Sequence, residues 1–156
     1  MNIKNPPATM ADVRGASERY GEVQWPDSIR ADKKAEILAI VADIEVDGGL
    51  RTIRAKRKLA EQGYAALFGI VEKLRTLDYG NVDDAGLGFE LNKLLEEILV
   101  DMNARYEPVQ ANEEIHPAKA EWNTRTVNAW MKVLSRWPDE ATFKKQRAER
   151  LRKKNG

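Results

Sequence analysis

The chain has 156 residues, 33% of them charged and 42% hydrophobic, with a formal net charge of +1 and no cysteine. That length allows one domain with a real core, and the missing cysteines exclude disulfides, thiolate metal sites and cysteine nucleophiles. No run of about 18 apolar residues is present to make a transmembrane helix, and the opening MNIKNPPATMADVRG lacks the apolar stretch of a signal peptide, so the expected location is cytoplasmic.

In chain order, residues 1–8 carry Pro6-Pro7 and read as a flexible tail. Thr9 is placed to cap a short helix through Tyr20, stopped by Gly21. A second helix is expected after Pro26, running to about Val46, with Ile37, Ile40, Val41 and Ile44 inward. Gly48-Gly49 then breaks the chain. From Leu50 to Leu77, Leu50, Ile53, Arg57, Ala60, Tyr64, Leu67, Val71 and Leu74 alternate by three and four, a seam suited to another helix. Gly63 is a candidate split in that segment, because glycine disfavours a helix interior by roughly 1 kcal/mol.

Asn81-Val82-Asp83-Asp84 supplies a turn and a cap. The helix that follows is expected to reach about Tyr106. Its stripe of Leu87, Leu91, Leu94, Leu95, Ile98, Leu99 and Met102 marks it as the central core helix. The polar linker VQANEEIHP ends at Pro117, and a further helix then turns Trp122, Val127, Trp130, Met131 and Leu134 inward. The last helix starts at Asp139 and has only Phe143 and Leu151 as large apolar residues. Strand signals are scarce. The expected fold is therefore all-α, a compact bundle of about five to six helices. Its parts are a 1–8 tail, a 9–138 helical domain and a half-solvated basic helix over 139–156.

The tripeptide WPD occurs at 25–27 and again at 137–139. In tyrosine phosphatases such a loop carries a general acid, but that chemistry needs the cysteine this chain lacks. The physical reading is helix initiation. Proline holds the preceding Trp extended, and Asp27 or Ser28, and Asp139, can accept from the first free amides. Trp137 can fold onto Phe143 much as in a hydrophobic staple.

The segment DIEVDGGLRTIR at 43–54 resembles the opening of an EF-hand calcium loop, with Asp43, Glu45, Asp47 and Gly48 in place. Arg51 and Arg54 stand at its ninth and twelfth positions, so the closing carboxylate is missing and no calcium binding is expected. EEIH at 113–116 has a Glu-x-x-His spacing used in di-iron bundles, but His116 is the only histidine and those sites need a second pair. The GLG at 86–88 lacks the rest of a dinucleotide fingerprint, and no serine sits in a nucleophile elbow. No catalytic residue, metal ligand or cofactor is assigned, and the protein is expected not to be an enzyme.

Charge is unevenly distributed. Arg51 to Lys58 reads RTIRAKRK, with five basic residues and no acid. Asp78 to Glu121 holds eleven acidic residues against three basic, and Asp139 to the end seven basic against three acidic. Such segregation bears on partners more than the net charge does. The leading expectation is a nucleic-acid-associated accessory protein. Arg51, Arg54 and Lys58, together with Lys144, Lys145, Arg147, Arg150, Arg152, Lys153 and Lys154, would contact the phosphate backbone.

The alternative is a protein-binding regulator or inhibitor using the acidic 78–121 region, with Glu90, Glu96, Glu97 and Asp101 as candidates. Those carboxylates are also candidate partners for the chain's own basic cluster. In size and charge the chain resembles small helical phage accessory proteins, including small terminase subunits and inhibitors of host systems, although no motif carries a family assignment. That resemblance implies action on a nucleoprotein system. A residual apolar strip is expected to make a homodimer, and no membrane partner is expected.

Overall fold

The computed structural model describes residues 22–100, 102 and 104–155, and among them are six α-helices and no strand. They are α1 (Ala31–Ala42), α2 (Gly49–Gln62), α3 (Tyr64–Thr76), α4 (Val82–Leu99), α5 (Pro117–Leu134) and α6 (Glu140–Asn155). The fold is thus the all-α bundle that the missing strand signals imply. The expected tail and the Thr9–Tyr20 helix lie outside the described residues.

The centre of the bundle is α3. Every residue from Tyr64 to Val71 is buried, and so is Leu74. Its opening YAALFGIV is apolar all round, the mark of a helix enclosed on every side, and it packs against each of the other five helices. The expectation that the 87–102 helix is central is therefore corrected. Helix α4 buries one broad face, including Leu91, Leu94, Leu95, Ile98 and Leu99, while Leu87 is only half-buried. A Cβ at Gly69 would collide with the Cγ2 of Ile37 on α1, so glycine there permits the closest approach of α1 to α3.

Three helix limits also differ from expectation. Helix α1 begins at Ala31 behind Arg30, with no side-chain cap. The first WPD instead leads into a turn, in which the Ile29 amide donates to the Pro26 carbonyl at 3.0 Å. Asp27 and Ser28 are consumed in that turn, one step before a helix can start. Helix α1 also ends at Ala42, short of Val46. Helix α4 stops at Leu99, well before Tyr106, because Val100 adopts φ 58°. The chain then turns back, and the Tyr106 hydroxyl donates to the Ala85 carbonyl at 2.7 Å.

The 50–74 seam survives only in its second half. Tyr64, Leu67, Val71 and Leu74 are buried, but Leu50 is 68% exposed and Ile53 52%. The inward face of α2 is Thr52, Ala55 and Leu59. Gly63, with φ 59° and ψ −111°, ends α2 and starts α3 on a new axis, so the phase of the seam does not carry across it. With about 100° of rotation per residue, Leu50 lies opposite Leu59, and one must face out when the other faces in.

Local punctuation elsewhere follows the sequence. Asn81 accepts from the amides of Asp83 and Asp84 at 3.0 and 3.1 Å. His116 caps α5 through Nδ1, which accepts from the Ala118 amide at 3.0 Å, and Pro117 occupies the first turn. Val127, Trp130 and Leu134 are buried on α5, whereas Trp122 is half-buried and donates to the Arg105 carbonyl at 2.8 Å. No described helix is long and apolar enough to cross a membrane.

Candidate nucleic-acid interface

The cations selected from the sequence lie on α6 and α2. Helix α6 starts as its WPD predicts. Asp139 accepts from the Thr142 amide at 2.7 Å, and that hydrogen bond holds its carboxyl below the ordinary carboxylate range. The rings of Trp137 and Phe143 meet edge to face with centroids 5.6 Å apart, and Phe143 also packs on Tyr64 at 5.6 Å. The Tyr64 hydroxyl donates to the Trp137 carbonyl at 2.6 Å, and the Trp137 indole to Gln146 at 2.6 Å. Burial of Tyr64, with Asp139 and Glu140 nearby, raises its pKa, so it stays a donor.

One turn further, α6 crosses the C-terminal end of α4. Arg147 Nε donates to the Ile98 carbonyl at 2.8 Å, and Arg150 Nε to the Leu99 carbonyl at 2.9 Å. The last carbonyls of a helix have no partner within it and form the negative end of its dipole. Two guanidinium groups therefore close α4 from outside. The inward face of α6 runs Phe143, Gln146, Arg147 and Arg150, spaced as one helical face.

The other selected α6 cations, Lys144, Lys145, Arg152, Lys153 and Lys154, are exposed. Lys144 approaches Glu140 at 3.4 Å. Lys145, Arg152 and Lys153 form no ion pair with a described residue, and Glu149 is the one acid between them in sequence.

On α2, Arg51 pairs with Asp43 at 2.6 Å. Arg54 and Lys58 are exposed and make no ion pair with a described residue. Arg57, read from sequence as an exception within an apolar seam, is exposed as well. Its position three residues after Arg54 was the available signal that it shares that surface. Lys56 joins the acidic helix by an ion pair to Glu90. Glu96 accepts from Asn92 at 2.6 Å, Glu97 is exposed, and Asp101 lies outside the described residues.

The EF-hand-like segment is closed on itself. Beyond the Arg51–Asp43 pair, the Glu45 amide donates to the Thr52 hydroxyl at 3.0 Å. Among the described residues no three His, Asp or Glu side chains gather as metal ligands would. The GLG glycines lie inside α4, where a Cβ at Gly88 would strike the Tyr106 hydroxyl 2.5 Å away. An open cleft of about 330 Å³ is lined by Val23, Phe68, Met131 and Leu134.

Two polar side chains that accept from buried indoles carry no sequence signal. Gln146 matters only because Trp137 lies beside it. Asn92 matters because the buried Trp130 indole donates to it at 2.7 Å.

No family model, curated protein or solved structure matches the chain.

Proposed function

We propose that this is a non-enzymatic accessory protein that binds nucleic acid by the phosphate backbone, chiefly through the outward face of α6. The observation that carries this reading is the division of labour among the α6 cations. Arg147 and Arg150 fasten the helix to α4, while Lys145, Arg152 and Lys153 stay at the surface without acid partners among the described residues. A helix already held in place loses less conformational entropy when its cations meet phosphates. Arg54, Arg57 and Lys58 on α2 give a second exposed basic surface. Such contacts fix position on a backbone and carry little base preference.

The rival reading, a protein-binding regulator acting through the acidic 78–121 region, has less support. Several of its glutamates are engaged within the chain: Glu90 with Lys56, Glu113 with Lys119 and Glu121 with Arg125.

The test is a mobility-shift series with duplex DNA, single strands and RNA over a range of salt. Wild-type binding should weaken steeply with salt. The Lys145→Gln/Arg152→Gln/Lys153→Gln variant leaves both α4-capping arginines intact and should flatten the log–log salt slope by about 2–3. No binding at low salt, or an unchanged slope, rejects the reading.

A further inference from the structure

The exposed large apolar side chains of the described residues, Val46 at 44%, Leu50 at 68% and Ile53 at 52%, fall within eight positions at the start of α2. Scattered single exposures are ordinary on a protein surface, but a cluster beside a helix is a mark of an interface. Leu50, Ile53, Arg57 and Ala60, the seam read from sequence, are all exposed, so α2 presents a second helix-packing face outward.

The charges around this face are ordered. Glu45 and Asp47 are exposed at its N-terminal end, and Arg54, Arg57 and Lys58 in its C-terminal half, with Leu50 and Ile53 between the acids and the cations. Reversing the direction of such a segment turns it into its own electrostatic complement. We infer that the outward face of α2 is a two-fold, antiparallel interface between two copies of this chain.

With the axis midway between Leu50 and Ile53, Leu50 meets the partner's Ile53 and Ile53 the partner's Leu50. The same axis sets Arg57 near the partner's Asp47 and Lys58 near the partner's Glu45. Each contact occurs twice, as an isologous interface requires. Phosphate groups would meet the cations of its C-terminal half but would leave Leu50 and Ile53 exposed. A membrane surface would meet just three apolar side chains, with two carboxylates beside them.

A helix of 14 residues is about 21 Å long. Two such helices and their flanking loops reach the lower end of specific interfaces, about 1,000–1,200 Å² in total. The dimer should therefore be weak and governed by mass action. The inference does not depend on the reading of α6, and where the dimer forms it takes Arg57 and Lys58 out of the second basic surface.

Sedimentation of the full chain from about 1 μM to 1 mM tests it. The wild type should pass from monomer to dimer across that range. Leu50→Gln/Ile53→Gln should stay folded by circular dichroism and dimerise at least about tenfold more weakly. Glu45→Lys alone and Lys58→Glu alone should each weaken self-association. An equimolar mixture of these two variants should restore it, because every cross-contact in the mixed pair is again between opposite charges. A chain monomeric to 1 mM, a dimer indifferent to Leu50→Gln/Ile53→Gln, or a mixture no tighter than its parents overturns the interface.

Discussion

Gly69 shows how one residue sets a distance between helices. Its missing side chain is what lets Ile37 sit against the α3 backbone. Gly69→Ala would improve helix propensity by roughly 1 kcal/mol. We nonetheless expect a net loss of about 1–3 kcal/mol, because the added methyl must push a fully buried isoleucine out of its site. Urea unfolding checks this, and an unchanged or raised midpoint would contradict it. Nothing in YAALFGIV announces this role, because a glycine in an apolar run reads alike whether a neighbour touches it or not. Asn81 is the opposite case. Its capping bonds go to residues two and three positions on, so the sequence was enough to find it.

Helices differ in how much of their environment they carry with them. The start of α6 is local: Asp139 caps it, and Trp137 folds onto Phe143. Its fastening is not, for Arg147 and Arg150 reach carbonyls 49 and 51 positions away. Arg147→Gln/Arg150→Gln should remove two charge-assisted hydrogen bonds at about 1.5–3 kcal/mol each. Amide exchange should then speed up in α6 and in the last turn of α4. Lys145→Gln, two positions before Arg147 and in solvent, should change stability by less than about 0.5 kcal/mol. Equal exchange in both variants would mean that the two arginines do not hold the helix.

At the scale of the whole molecule, α6 is both a basic surface and a cover for the core. Phe143 is 2% exposed and Trp137 2% exposed, and they meet Tyr64 at the start of the central helix. Ending the chain after Pro138 removes Phe143, both α4-capping arginines and the partner of the Trp137 indole. Burial of one phenylalanine alone is worth about 3–5 kcal/mol, against a total of roughly 5–15 for a domain. The truncated chain should therefore lose much of its cooperative thermal transition and bind a hydrophobic dye. Phe143→Ala in the full chain should reproduce part of that loss. A truncated chain melting like the wild type would show that α6 covers nothing the core needs.

The sequence by itself determined that the chain is helical, where most helices break, and how α4, α5 and α6 begin. Those features depend on backbone preferences and capping groups within a few residues, at Gly48, Gly63, Asn81, Pro117 and Asp139. The tertiary structure alone decided which way each helix turned. Gly63 reset the phase of α2, so Leu59 went inward and Leu50 outward. Seven basic residues after Asp139 looked equivalent in sequence, yet the open end of α4 drew in Arg147 and Arg150 and left Lys145, Arg152 and Lys153 to solvent. A cation's role is set by the unpaired carbonyls it meets, and those came from a distant part of the chain.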